Sequence, residues 1–232
     1  FNPRVMGVSS ANEVRQIIDS AYSYNNPIST TTTQIASPVS TPQIDTKSSQ
    51  ISLVGTPADY KIINLGGGRY GMQQKGSTKI DEITGASTVT IGGSTISVAN
   101  DVKAVFDHIT GKETQDAKVF RLYNAAFARF PDASGLHYWI QQFSSGAQDY
   151  NSITQSFINS NEFKTLYGSN NSNGSFVENL YKNILGRTPD QSGLQYWTNI
   201  LNQGLNSRGG ILGSFSESTE NKALFTQVTG FA

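Results

Sequence analysis

The chain has 232 residues, with 17 basic side chains, 17 acidic ones, two His and no Cys. Length allows one or two domains. Zero net charge gives no whole-chain field to draw in nucleic acid or an anionic membrane, and the lack of Cys excludes disulfides, thiolate nucleophiles and zinc–thiolate sites.

Charged residues make up only 15 % of the chain, below the roughly 25 % of ordinary soluble domains. That composition fits a surface or assembly protein better than a cytosolic enzyme. No run of 18 apolar residues occurs, so no membrane-spanning helix is expected. The first residue is Phe1 and no leader pattern opens the chain, which points to a processed product or a segment of a longer one.

Residues 9–24 predict a short amphipathic helix. Ser10 and Glu13 have capping-box spacing, and Val14, Ile17, Ile18 and Ala21 fall on one face. That face, with Tyr22 beside it, is a candidate partner contact, since a helix this short needs something to pack on. Residues 25–50 are rich in Thr and Ser, broken by Pro27, Pro38 and Pro42, and empty of aromatics. Such a stretch buries too little to fold alone and reads as a linker or extended arm.

From residue 51 the period changes to two. Ile51–Leu53, Tyr60–Ile62, Lys79–Asp81, Thr88–Ile91 and Thr95–Val98 alternate, divided by Gly66–Gly68, Gly76, Gly85 and Gly92–Gly93. These runs predict a small antiparallel β module. Asn100 then stands as the cap of a helix carrying Val102, Val105, Phe106 and Ile109.

From Val119 the chain repeats itself, residues 119–167 over 177–225, with a constant shift of 58 and no gap. The motif residues Arg129, Pro131, Asp132, Gly135, Leu136, Tyr138 and Trp139 coincide with Arg187, Pro189, Asp190, Gly193, Leu194, Tyr196 and Trp197. Further along, Glu162 and Glu220 coincide too. A match of this length marks a duplicated structural unit. Each unit reads as four short helices. Val119, Leu122, Tyr123, Ala126 and Phe127 give the first stripe, and Val177, Leu180, Tyr181, Ile184 and Leu185 repeat it. Ser175 and Glu178 suggest a capping box in the second copy. Pro ends the first helix and the Asp carboxylate caps the next. Ser160 and Ser218 start the last helices, which carry Leu166, or Leu224 and Phe225. The fold class is therefore α+β: an N-terminal helix and arm over 1–50, a β module over 51–114, and helical repeats over 115–168 and 169–232.

The stretch from Leu185 to Trp197, with its looser copy from Ala128 to Trp139, resembles the bacterial domain-of-unknown-function 4214 family. The resemblance covers roughly 115–232, as two tandem copies. It implies a helical domain distantly similar to that of phycobilisome linker proteins, found in secreted and cell-surface proteins of marine bacteria and cyanobacteria, and it implies no activity. The first copy departs at Ala128, where the family has Gly, and at Phe130, where it has a Thr-like residue. The segment around Tyr60–Gly76 is similar to sequence that precedes this domain in cyanobacterial surface proteins.

No residue set points firmly to catalysis. Gly66, Gly68 and Gly71 satisfy the spacing of a dinucleotide loop, but residues 69–76 alternate like a strand, so a hairpin turn is expected. Asp132 and Asp190 each follow an Arg by three residues, which suggests helix caps ion-paired to those Arg. Calcium at these turns would need about six to eight oxygen ligands, and no acidic calcium-loop series is present to supply them. His108 and His137 are the only imidazoles, and Gln195 replaces His137 in the second copy, so no duplicated metal site forms. Asp81 and Glu82 are adjacent on a strand and point to opposite faces, a poor acid–base pair. Tyr138 and Tyr196 could stack on sugar rings.

These readings combine into a non-enzymatic structural or adhesion protein of an extracellular surface assembly, a surface layer, filament or appendage. It would need no cofactor, with calcium as the alternative, and would act through protein contacts, most simply self-association. A virion component of a phage and a module binding cell-surface glycan are the alternatives.

Overall fold

The computed structural model describes residues 50–168 and 171–231. The helix expected at 9–24, with Val14, Ile17, Ile18 and Tyr22, lies outside the described residues, as does the arm up to residue 49.

Six strands form two three-stranded sheets. One is built from β1 (Gln50–Leu53), β5 (Thr88–Ile91) and β6 (Ser94–Ser97), in the order β1-β5-β6. The other is built from β2 (Tyr60–Gly66), β3 (Arg69–Gln74) and β4 (Ile80–Glu82), in chain order. The expected single antiparallel module is corrected in two respects: the strands divide between two sheets, and β1 runs parallel to β5, with Ile51 opposite Val89 and the whole second sheet between them in sequence. Alternation sets which face a residue takes, but it carries no record of a partner so distant along the chain. Within β5 the alternation is kept, with Val89 and Ile91 fully buried between Thr residues. β2 and β3 form the hairpin expected at the glycines. Gly66, Gly67 and Gly68 all hold positive φ at its turn. Gly71 sits inside β3, where a Cβ would come 2.6 Å from Ile80 Cγ2, so no larger residue fits this close approach.

A π-helical turn, Val98–Lys103, runs into α1 (Ala104–Asp107). Its cap is Ser97, not Asn100. The Ser97 hydroxyl accepts from the Asn100 amide at 3.1 Å, and the Asp101 carboxylate accepts from the Ser97 amide at 2.7 Å. The helix thus starts one turn earlier than expected, because Asp101 reaches back and completes a reciprocal cap.

Eight helices follow. The first unit holds α2 (Gln115–Phe127), α3 (Ala133–Ser144), α4 (Tyr150–Asn159) and α5 (Asn161–Tyr167). The second holds α6 (Asn173–Leu185), α7 (Gln191–Asn202), α8 (Arg208–Ser216) and α9 (Thr219–Thr229). At a shift of 58 the bounds of α2 and α6 coincide, as do those of α3 and α7, and α4, α5, α8 and α9 share their start points. The caps repeat as well: Ser160 and Ser218 cap α5 and α9 as expected. The box expected at Ser175 is not the cap of α6. Ser172 is, accepting from the Ser175 amide at 3.1 Å, one turn before the apolar stripe begins.

The helices share one core. Leu122, Trp139, Ile153, Phe157, Phe176, Leu180 and Ile211 are among its most deeply buried members. A smaller core under the sheets contains Ile62, Met72, Ile83, Val89 and Phe106. Phe130 and Val228 pack against both. Tyr70 stacks on Phe106 at 5.6 Å, joining strand β3 to α1. Leu166, expected to pack inward, is 47 % exposed on α5. That helix ends at Tyr167, whose ring is buried instead and stacks on Phe163 at 4.0 Å.

Candidate functional site

The twin Pro-Asp turns carry the most distinctive residues in the chain, and the structure builds them almost identically. Asp132 caps α3, its carboxylate accepting from the Gly135 amide at 2.6 Å, and Asp190 caps α7 through the Gly193 amide at 2.8 Å. Ser134 and Ser192 add a hydroxyl to the same two carboxylates. The Ser192 hydroxyl and the Gly193 amide hold Asp190 below the usual carboxylate range.

Each turn closes over a tyrosine. A Cβ on Gly135 would lie 2.3 Å from the Tyr123 hydroxyl, and one on Gly193 would lie 2.5 Å from that of Tyr181. The glycine of the motif is thus a space requirement: α3 and α7 start where a phenol from the preceding helix already sits. Burial, reinforced by the Asp132 charge, pushes the Tyr123 phenol well above its ordinary value.

The expected Arg–Asp ion pair forms in the first turn, and in both turns the arginine has a closer partner. Arg129 stands 3.8 Å from Asp132, but its main partner is Glu162, with Nε donating at 2.6 Å and Nη2 at 3.0 Å. Arg187 repeats this with Glu220, both contacts at 3.0 Å. The Asp is occupied by the helix amides, and the Glu offers two free oxygens that match the guanidinium fork. Glu162 and Glu220 also lie in the first turns of α5 and α9, where the helix dipole favours negative charge. Burial opposes the charge of Arg129, yet the Glu162 hydrogen bond holds its pKa above the ordinary value. The guanidinium carbons complete the stack, 5.8 Å from the Tyr123 ring centre and 4.9 Å from that of Tyr181. The match of Glu162 with Glu220 in the repeat was the available signal for these partners.

The Arg, Asp, Gly and Tyr of each turn are therefore consumed in closing the turn. Pro131 is buried and Pro189 half-buried beside them. Among the described residues no three His, Cys, Asp or Glu side chains gather as a metal would require. Asp81 pairs with Lys79 at 2.7 Å, and Glu82 makes a two-armed pair with Arg69. His108 and His137, far apart in sequence, meet with ring centres 4.9 Å apart where α1 crosses α3, a contact that no spacing argument could reveal.

The two copies part company at the motif helices. Leu136 and Trp139 are buried in α3, over which the 98–107 segment packs. In α7 no residue is buried, and Leu194 and Trp197 are half-exposed. Trp197 is therefore less buried than its counterpart Trp139. The ring pairs themselves are alike: Tyr138 on Trp139 and Tyr196 on Trp197 both meet edge to face at 5.0 Å. Tyr138 is half-buried, whereas Tyr196 is 58 % exposed and Leu205, just past α7, is 67 % exposed.

Among known families, residues 154–225 match the model described as Domain of unknown function (DUF4214). The matched span runs from the middle of α4 into α9, includes the Leu185–Trp197 motif, and crosses the boundary between the two helical units. No curated protein and no solved structure matches the chain.

Proposed function

We propose that this protein is a non-enzymatic building block of an extracellular surface assembly, acting through protein–protein contacts. The supporting observation is the greater exposure of α7. The first unit buries Leu136 and Trp139, and the 98–107 segment packs on their helix; the second leaves Leu194 and Trp197 only partly buried and Tyr196 open. A helix face of one fold, covered in one copy and open in the other, is what a subunit contact looks like before assembly. In this reading the first helical unit is a diverged second copy of the matched family, and the partner on α7 is another copy of the chain. The twin turns serve shape: each fixes the entry angle of a motif helix.

Sedimentation of the purified chain over a wide concentration range tests this. Self-association that is lost on Tyr196→Ser with Leu205→Ser, while the melting temperature holds, is the expected result. A monomer at all concentrations, indifferent to both substitutions, would overturn it.

A further inference from the structure

A cleft of about 410 Å³ opens where strand β2 meets α2, α6 and α9. It lies at the seam between the sheets and both helical units, and α7 contributes nothing to it. Every charged side chain lining it is a cation. Arg121 and Arg129 are neutralised by Glu217 and Glu162, which stand outside the lining. Lys61 and Lys182 form no ion pair among the described residues. The Lys75 ammonium donates to the Ala128 carbonyl at 3.2 Å and forms no ion pair among the described residues. Its pKa is pushed down by burial and by the neighbouring Lys61 charge, against a smaller opposing pull from Asp59. Two ammonium groups held close in a partly dry cleft favour an anion between them.

A second observation fixes the chemistry further. Asn221 is 1 % exposed and lines the cleft. Its Nδ2 donates to the Ser216 carbonyl at 2.8 Å, while its Oδ1 is buried with no partner. Turning the amide over would set two oxygens face to face, so the free atom is an acceptor. A buried acceptor left unmade costs stability, and a donor from a bound molecule would satisfy it. Asn124 adds a further amide, and Tyr60 lines the cleft beside Lys61.

From these groups we infer that the cleft binds an acidic saccharide, with a uronate carboxylate between Lys61, Lys75 and Lys182 and a sugar hydroxyl donating to Asn221 Oδ1. A simple anion has no donor and would leave the Asn221 acceptor unsatisfied. A neutral sugar would leave the lysines unneutralised. The volume suits one or two sugar rings, at the lower end of ordinary ligand sites. This inference stands apart from the α7 contact, because the two share no residue.

The test is titration of digalacturonate into the isotopically labelled full chain at low salt, followed by amide shifts, beside neutral galactobiose. Saturable shifts around Lys61, Lys182 and Asn221 are expected, weakening about tenfold in the Lys61→Gln, Lys182→Gln double variant, since charge-assisted hydrogen bonds carry that much. Neither ammonium group is spent on an ion pair, so the variant's melting temperature should not move. Galacturonate monomer separates two sources of the same chemistry: saturation by the monomer indicates a free sugar acid, and saturation by the dimer alone indicates a polysaccharide. Equal shifts from galactobiose, shifts that gather elsewhere, or an unchanged double variant would each overturn the assignment.

Discussion

Ala128 and Gly186 hold the same left-handed backbone, with φ of 53° and 67°, at the corresponding ends of α2 and α6. The alanine is the single non-glycine residue with positive φ among those described. The first turn has thus kept its shape after losing the residue that makes it easy.

Ala128→Gly should therefore be neutral to stabilising. Relief of the left-handed strain, about 1–2 kcal/mol, slightly exceeds the unfolded-state entropy that Gly adds back, about 0.4–1 kcal/mol. The reverse change, Gly186→Ala, has open space around its Cβ, so its cost of about 1 kcal/mol should be conformational alone. Thermal melting of the two variants should move in opposite directions. A loss of stability in Ala128→Gly would mean that the alanine methyl packs more than its surroundings indicate.

Gly135→Ala should destabilise by about 1–3 kcal/mol, because the new methyl meets the Tyr123 hydroxyl in a full core. Removing that hydroxyl in the Gly135→Ala, Tyr123→Phe double variant should recover part of the loss. Denaturant unfolding of the two singles and the double gives the coupling directly. Strict additivity would show that the glycine is needed for another reason.

The three arginine–glutamate pairs of the helical units span a range of burial, and their removal should follow it. Arg121 is 1 % exposed and makes a two-armed pair with Glu217, so Glu217→Ala strands a buried charge and should cost about 3–5 kcal/mol. Arg187 and Glu220 are 45 % and 42 % exposed, so Glu220→Ala should cost less than about 1 kcal/mol. Glu162→Ala should fall between. Chemical denaturation orders the three, and an inverted order would refute the burial argument.

Glu82 should titrate far below an ordinary glutamate. The Arg69 fork, then the Thr84 hydroxyl, lowers its pKa to about 2. A carboxylate with a depressed folded pKa adds stability that is complete above its unfolded value and fades as pH falls toward the folded one. The β3–β4 edge should thus loosen between about pH 4.5 and pH 2, and Glu82→Gln should abolish that part of the acid response. Carboxyl chemical shifts followed through an acid titration read the midpoint. A midpoint near 4.5, the ordinary value, would show that the pair does not form in solution.

The helical half was legible because its periodicity, proline stops and duplicated motif agree with each other. The positions of Asp132, Asp190, Ser160 and Ser218 as caps followed from chemistry alone. The partners of Arg129 and Arg187 did not, since the nearest carboxylate in sequence was already committed to helix amides. Strand β3 was legible as the second arm of a glycine hairpin, but the reason for Gly71 inside it, its close approach to Ile80, was not. The parallel pairing of β1 with β5, the meeting of His108 with His137, and the cleft at the seam all depend on how distant segments dock. The exposure of Trp197 was hidden for a related reason: the motif is the same in both copies, and only the neighbours differ.

Because β1 runs alongside β5 in the same direction, the start of β1 and the exit of β5 lie at opposite ends of the pair. Tension entering through the residues before Gln50 would load the four paired positions together, in shear, instead of peeling them one at a time. A short strand placed this way resists pulling far better than its length suggests, a useful property in any subunit held from its leading end.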